Sequence, residues 1–395
     1  MKRITLALFL STAICAPALA GDVKLGVLLG FTGPLESVAP DMAAAAELAI
    51  KEVSESGEFL NNSTVGSVRG DSTCVDAGAA VAAAERLITS NKVQGIVGAT
   101  CSGASTAVLQ NVAIPNGIVM VSPSATSPAL SVVEDEGLFF RVAPSDARQG
   151  EVLAEFLRGA KHIETTAISY TNNDYGKGLA DSIQSNFEKF DGKVTISASH
   201  EDGKGDYGAE VGALAAAGGE VLVVAGYLDQ GGKGIVQGAL DAGAFDTFVL
   251  PDGMVGESLI EAIGPDLNGS FGTIPGSLGP IAEKFGKMAE ENGFKVGPYT
   301  AEAYDSAALI LLAMQAAGSS DSQGYKDKIF DVANRPGEPI APGELSKALK
   351  ILAEGGDIDY VGASNVELFG PGEGVGNFRL IEIKNGEIVT IGIQK

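Results

Sequence analysis

Apolar residues occur in short continuous runs, and alanine-rich stretches with helical spacing separate one run from the next. VKLGVLLG at 23–30 and EVLVVAGY at 220–227 are typical of the runs. Continuous apolar runs predict strands that are buried on both faces, as in a parallel sheet covered by helices. The predicted strands are 23–30, 64–69, 93–99, 117–122, 138–143, 165–171, 193–199, 220–227 and 247–253, and the predicted helices are 41–56, 76–89, 104–113, 146–160, 175–190, 207–216 and 231–242. This alternation predicts an α/β fold with parallel sheets.

The pattern changes near residue 273. Two helices are predicted at 278–292 and 298–317, and a third follows at 343–354 after a less regular region. The C-terminal segment predicts a β-hairpin, because Asn385-Gly386 between two apolar runs is a preferred two-residue turn. With 395 residues the chain is long enough for two α/β lobes, although no shift in composition marks a boundary.

Residues 1–20 have the three parts of a secretory signal peptide. A basic start is followed by an apolar stretch, and Ala-Leu-Ala precedes Gly21. We expect cleavage near Ala20 and a periplasmic location. A lipid anchor on Cys15 is the alternative, and Ile14 disfavours it because a small residue is wanted before such a cysteine.

The charge balance excludes one class of partner. The formal net charge is −23, from 27 basic and 50 acidic residues. Nucleic-acid binding needs clustered Lys and Arg to neutralise phosphates, so no nucleic-acid partner is expected.

Cleavage of the signal would leave two cysteines, Cys74 and Cys101. An even number in an exported chain favours a disulfide between them, whereas reduced thiols are expected if the export prediction fails. Cys101 and Ser102 also stand side by side after a predicted strand, and a secreted hydrolase that uses one of them as nucleophile is a competing hypothesis.

Hydroxyl groups, glycines, tyrosines and one carboxylate follow the predicted strands, where ligands bind in open parallel sheets. Hydroxyl and backbone N–H groups there can receive a carboxylate, an acidic side chain can receive an ammonium, and tyrosine rings can cover a ligand. A small zwitterion suits this set, although each loop alone is also ordinary turn chemistry. The residues concerned are Ser102, Ser124, Thr126, Tyr175, Tyr227 and Asp252.

The sequence offers few candidate residues for other kinds of enzyme catalysis. The chain has two histidines, His162 and His200, and we expect both at the surface. It has no G-x-S-x-G elbow, phosphate-binding loop, C-x-x-C or H-E-x-x-H motif. We therefore expect a protein that is not an enzyme and that needs neither a cofactor nor a metal.

Several motifs, taken in order and spacing, resemble the solute-binding proteins of ABC transporters for branched-chain amino acids, the leucine/isoleucine/valine-binding type. The resemblance covers nearly the whole chain after the signal. The motifs that show it are GVLLGFTGP, GDSTCVDAGAAVAAAERLI, VGATCSGAST, SPSATSPAL, FFRVAPSDARQG, NDYGKGLAD and AYDSAALI.

The resemblance implies two Rossmann-like lobes with parallel sheets flanked by helices, the type I periplasmic binding protein fold. Three crossovers would link the lobes, and hinge-like closure would trap a ligand in the cleft. The N-terminal lobe would comprise 22–143 plus 273–374, and the C-terminal lobe 144–272 plus 375–395.

The resemblance also implies roles in the N-terminal lobe. Cys74 and Cys101 match a disulfide pair. Ser102 and the loop Ser124-Ala125-Thr126 match positions that hold the carboxylate of an amino acid and part of its ammonium.

In the C-terminal lobe, Tyr175 and Tyr227 match tyrosines that contact the ligand. Asp252 matches an acidic residue, often Glu, that pairs with the ammonium, and the shorter Asp reduces that reach. The family member compared has an aromatic residue beneath the ligand side chain, where this chain has Val38 or Ala39.

The predicted function is capture of an amino acid, aliphatic or branched-chain, in the interlobe cleft for import by a membrane ABC permease. A monomer is expected from the resemblance. The alternatives are a binding protein for a short amide, urea or small carboxylic acid, and a sensory ligand-binding module.

Overall fold

The computed structural model describes residues 22–394. The predicted signal peptide and the lipid-anchor alternative at Cys15 lie outside the described residues. Within 22–394, no helix is long and apolar enough to cross a membrane.

Two seven-stranded sheets and one two-stranded sheet account for the strands. The strands are β1 Asp22–Leu29, β2 Thr64–Asp71, β3 Gly95–Gly98, β4 Met120–Ser122, β5 Phe139–Arg141, β6 Thr165–Thr171, β7 Lys193–His200, β8 Val221–Ala225, β9 Phe248–Leu250, β10 Phe271–Pro275, β11 Glu338–Ile340, β12 Ile358–Tyr360, β13 Leu368–Phe369, β14 Glu373–Gly374, β15 Phe378–Lys384 and β16 Glu387–Gln394.

Helices follow most of the strands. They are α1 Ala39–Glu55, α2 Ala77–Thr89, α3 Ser102–Val108, α4 Ile114–Asn116, α5 Asp146–Glu155, α6 Asp174–Lys189, α7 Gly208–Ala217, α8 Gly231–Asp241, α9 Glu257–Ile263, α10 Pro280–Glu291, α11 Thr300–Ala317, α12 Ser322–Tyr325, α13 Lys328–Ala333 and α14 Leu345–Ala353.

The two large sheets repeat one topology. The first has the order β13-β14-β5-β4-β3-β1-β2, and the second has the order β16-β15-β10-β9-β8-β6-β7. Strands β1–β5 and β6–β10 pair in parallel, as the continuous apolar runs predicted. Both sheets are mixed, however, because β13 with β14, β10 with β15, and β15 with β16 pair antiparallel. We call the first of these sheets, with its covering helices, the first lobe, and the second sheet with its helices the second lobe.

The chain passes between the lobes three times. It leaves the first lobe after β5, returns after β10 to form α10–α14 and β11–β14, and leaves again between β14 and β15. Nearly all of α11 is buried in the core of the first lobe, and it packs along α1. Residues 307–314 of this helix are apolar on every side, and such a segment has to be buried.

Most predicted elements agree with the structure within a few residues. The C-terminal hairpin is confirmed, with Asn385 and Gly386 at φ of 54° and 75° between β15 and β16. Such positive φ values at both turn positions are typical of a type I′ turn.

Some predictions need correction. The expected lobe boundary at 272/273 falls inside β10, whose residues 273–275 pair with β15 of the second lobe. Neither β10 nor α9 was predicted, and glycine and proline in and around FGTIPG obscure the strand pattern. His200 is buried rather than at the surface, with Nδ1 2.8 Å from Ser169 Oγ.

Candidate functional site

Two buried loops meet at the carboxyl ends of β3 and β4. Ser102 is the first residue of α3, and its Oγ accepts the N–H of Ser127 at 3.1 Å. Ser124 donates its hydroxyl to the carbonyl of Thr100 at 2.8 Å. The Ser102 hydroxyl thus keeps its proton for a further acceptor, whereas the Ser124 proton is already used.

Thr126 lies at the centre of the second loop. Its Oγ1 is buried and makes no well-formed hydrogen bond among residues 22–394, although it lies near enough to Asp146 to lower the pKa of that acid. Its carbonyl accepts the N–H of Asp146 at 2.8 Å, and Ala125 beside it is fully buried. A buried hydroxyl without a partner is costly unless a ligand or water completes it.

A disulfide joins Cys74 to Cys101, with the two Cα atoms 5.1 Å apart. It connects the loop after β2 to the residue that precedes α3. Since both thiols are bonded, Cys101 is not available as the nucleophile of a hydrolase. Of these adjacent residues, Cys101 therefore forms a covalent cross-link, whereas the Ser102 side chain takes part in a hydrogen bond.

The second lobe contributes two stacked rings. Tyr175 lies in the first turn of α6, and Tyr227 follows β8. Their ring centroids are 5.0 Å apart and the planes differ by 16°. The Tyr175 hydroxyl donates to Asp252 Oδ1 at 2.7 Å, so the three residues predicted for this lobe form one connected group.

Asp252 also bonds across the lobes. Its Oδ1 accepts the N–H of Gly253 at 2.8 Å, and its Oδ2 accepts the hydroxyl of Tyr299. Tyr299 precedes α11 and so belongs to the first lobe. The sequence offered no signal for Tyr299, since nothing in its neighbourhood marks a site.

A second acid, Asp146, lies beside Asp252. It begins α5 and is completely buried, and its Oδ2 has no partner among the described residues. The amide of Gln149, in the orientation that satisfies its surroundings, donates to Oδ1 of both acids at 3.2 Å. We call Asp146 and Asp252 the carboxylate pair.

The carboxylate pair is only partly compensated by positive charge, because Arg141 lowers the pKa of Asp146 less than burial and Asp252 raise it. Burial raises the pKa of Asp146 well above its usual range, and the charge of Asp252 raises it further. Burial also raises the pKa of Asp252, although hydrogen bonds from Tyr299 and Tyr175 oppose the rise. Among residues 22–394 no ion pair reaches either acid. A cationic group from outside the chain would therefore be favoured there.

Other hydrogen bonds hold the lobes together around these residues. Ser127 Oγ donates to the carbonyl of Asp174 at 3.0 Å, and the N–H of Ser37 donates to Asp229 at 3.0 Å. Val38 packs against the apolar cores of both lobes, whereas Ala39 is fully buried in the core of the first. The lobes are in contact, and the candidate residues are enclosed between them.

Metal binding has no support in the described part of the chain. No group of three or more His, Cys, Asp and Glu side chains there could hold a metal ion.

Comparison with other proteins identifies sequence relatives and solved structures of similar fold. The Leu/Ile/Val-binding protein homolog 1 of Brucella suis biovar 1 (strain 1330) is 28% identical over 338 residues, which cover 82% of this chain and 89% of the relative. The leucine-binding protein LivK of Thermotoga maritima superposes with a TM-score of 0.80 at 22% identity, over 94% of this chain and 98% of its own.

A third relative was solved with its ligand. The branched-chain amino acid transporter substrate-binding protein LivJ of Streptococcus pneumoniae, in complex with isoleucine, superposes with a TM-score of 0.77 at 20% identity, over 94% of this chain and 99% of its own. The two mixed sheets flanked by helices match the type I periplasmic binding protein fold of LivK. Residues 22–333 match the sequence profile described as periplasmic binding protein. The chain belongs to the periplasmic binding protein family.

Proposed function

We propose that this protein captures an amino acid with an aliphatic side chain between its lobes and delivers it to an ABC permease. The carboxylate pair carries the proposal. Two buried acids share one amide and form no ion pair among the described residues, and the charge of Arg141 offsets only part of the effect of burial on Asp146. The ammonium of an amino acid would supply the missing charge.

The first lobe supplies complementary groups for the carboxylate of the ligand. Ser102 has a hydroxyl proton to donate, and Thr126 has a buried hydroxyl that lies near Asp146 without a well-formed hydrogen bond. Ser124 and Ala125 line the same loop. The stacked pair Tyr175 and Tyr227 would cover the ligand and exclude water, which strengthens the charged contacts. Asp146, Gln149 and Tyr299 join this set from the structure.

The identity of the side chain rests on the relatives. The relatives' names refer to leucine, isoleucine and valine, and LivJ holds isoleucine. Val38, at the junction of the two apolar cores, is suited to contact such a side chain. The same proposal includes export with cleavage near Ala20, action as a monomer, and no catalytic activity.

The division into lobes is part of the proposal, with one boundary moved. The first lobe would comprise 22–143 plus 276–374, and the second would comprise 144–275 plus 375–395. The sheet membership of β10 and β15 supports this revision.

Isothermal titration calorimetry tests the proposal. Protein that has been unfolded, freed of ligand and refolded is titrated with L-leucine, L-isoleucine and L-valine. The matched control ligand is 4-methylpentanoate, which is leucine without its amino group. We expect binding of at least one amino acid and at least about 30-fold weaker binding of the control, which corresponds to a lost buried charge contact.

Two results would contradict the proposal. The first is tight binding of 4-methylpentanoate. The second is binding of a short amide or urea by protein that binds none of the three amino acids. Either result would show that the ligand is not an amino acid. N-terminal sequencing of the exported protein and light scattering check the cleavage site and the monomer.

A further inference from the structure

Arg141 is the most completely bonded buried cation in the described chain. It ends β5 and is 1% exposed. Its Nη1 donates to the carbonyls of Ala125 at 3.1 Å and Ser127 at 2.8 Å. Its Nη2 donates to Ser131 Oγ at 2.6 Å and to Glu373, and its Nε donates to the same Glu373 oxygen at 3.1 Å. All five N–H groups of the guanidinium are therefore used.

Two of these acceptors flank Thr126. In a trans peptide the C=O and the following N–H point in opposite directions, and the bond between Ala125 and Thr126 is trans. Because the Ala125 carbonyl points at Arg141, the N–H of Thr126 points away from it. Among residues 22–394 this N–H has no acceptor, so Thr126 offers both an N–H and a hydroxyl.

The partner of Arg141 lies at a passage between the lobes. Glu373 belongs to β14, and only residues 375–377 separate that strand from β15 of the second lobe. Arg141 itself stands directly before the first passage, since α5 begins at Asp146. One buried ion pair thus joins the loop that contains Thr126 to two of the three passages.

We propose that Arg141 is a positioning residue that orients the loop 124–127 for ligand binding, and that Glu373 holds its guanidinium in place. The inference rests on the proposed function for the ligand, but the loop geometry stands independently of which ligand binds. A planar fork is needed for this task, because a single ammonium cannot donate to both flanking carbonyls and to Glu373 with the same geometry.

Two variants test the proposal. Arg141→Lys keeps the charge but loses the fork, and Glu373→Gln keeps the shape but loses the charge. The control is Glu382→Gln, which removes the acid of the partly buried Lys161–Glu382 pair (3.0 Å) in the second lobe. Binding of L-isoleucine is measured by calorimetry, and amide hydrogen exchange is measured across 123–131 in ligand-free protein.

The expected results separate positioning from stability. Arg141→Lys should weaken isoleucine binding by at least about tenfold, the loss of about one hydrogen bond to a charged group, and should speed exchange in 123–131. Glu373→Gln should also weaken isoleucine binding and speed exchange in 123–131, each by a smaller factor. Glu382→Gln should change neither, even if its melting temperature falls.

Unchanged affinity and unchanged exchange in 123–131, with only a lower melting temperature, would overturn the proposal. If Arg141→Lys does not fold, the isoleucine affinity and the hydrogen exchange of Glu373→Gln test the proposal. If the parent protein binds a carboxylic acid in place of isoleucine, the proposed function fails, and that acid then serves as the probe for Arg141.

Discussion

Neutralising Asp252 should separate ligand affinity from stability. In Asp252→Asn the side-chain oxygen can still accept from Tyr175 and from the N–H of Gly253, and the new NH2 group can donate to the Tyr299 hydroxyl that formerly donated to Oδ2, so the shape of the side chain is kept. The variant loses the charge that would pair with an ammonium. Truncating one partner of a buried charge pair typically costs about 2–5 kcal/mol of binding free energy, or about 30-fold to several thousand-fold in Kd.

The effect on stability should have the opposite sign. Burial raises the pKa of Asp252, so ionising this acid costs more free energy in the folded protein than in the unfolded chain. Asp146 adds repulsion. Removing the charge should leave the free energy of unfolding equal to that of the parent or higher, a gain in stability at the expense of function.

Calorimetry with L-isoleucine and urea unfolding at neutral pH measure the two quantities. Asp181→Asn is the control, because Asp181 lies exposed on α6 and its one ion pair within residues 22–394 is with Lys177. A Kd within threefold of the parent would remove Asp252 from the binding site. A loss of stability as large as the loss of affinity would make its role structural.

Three further predictions follow from the same contacts. Because the carboxylate pair has raised pKa values, a bound ammonium should release protons, so that isoleucine affinity falls on acidification and the calorimetric heat depends on the ionisation enthalpy of the buffer. Burial lowers the pKa of His200 from 6.5 to about 4, so the unfolded chain takes up a proton first as the pH falls below 6.5; the free energy of unfolding should drop by about 2 kcal/mol by about pH 5 for this reason alone. Replacing both Cys74 and Cys101 by Ser should lower the free energy of unfolding by about 3.5 kcal/mol, since the disulfide closes a loop with a sequence separation of 27.

Each of these has its own control. Proton release should vanish in a variant with both members of the carboxylate pair changed to Asn, and release that persists there would place its source elsewhere. The pH dependence assigned to His200 should disappear in His200→Gln and persist in His162→Gln, whose parent side chain is exposed. Urea unfolding of the double Ser variant under reducing and oxidising conditions should be identical, and a redox effect would point to Cys15.

The sequence pattern identified most of the candidate site because ligand residues follow strands. Ser102, Thr126 and Tyr175 come within a few residues after predicted strands, Asp252 lies at the end of the predicted strand 247–253 and just after β9, and the structure brings them together. The same rule applied to the strand at 138–143 would also have selected Asp146, which lies five residues after β5 ends.

Two other contributors had no local signal. Tyr299 reaches Asp252 from the opposite lobe, 47 residues further along the chain. Arg141 and Glu373 are separated by 232 residues and meet because β5 and β14 are neighbours in one sheet. From the sequence, His200 is expected to be a polar residue at the exposed end of a strand. In the structure Tyr207 packs against its ring, and the hydrogen bond with Ser169 satisfies its buried Nδ1.

The sequence by itself determined the two repeated parallel units, the C-terminal hairpin and the loops that carry hydroxyls, tyrosines and Asp252, because apolar periodicity and turn preferences act over a few residues. Only the tertiary structure decided which side chains meet between the lobes, that the two acids there form no ion pair among the described residues, and that Arg141 donates to the carbonyls on both sides of Thr126. Those properties depend on distances between residues remote in sequence, and burial between the lobes then sets their charge and hydrogen bonding.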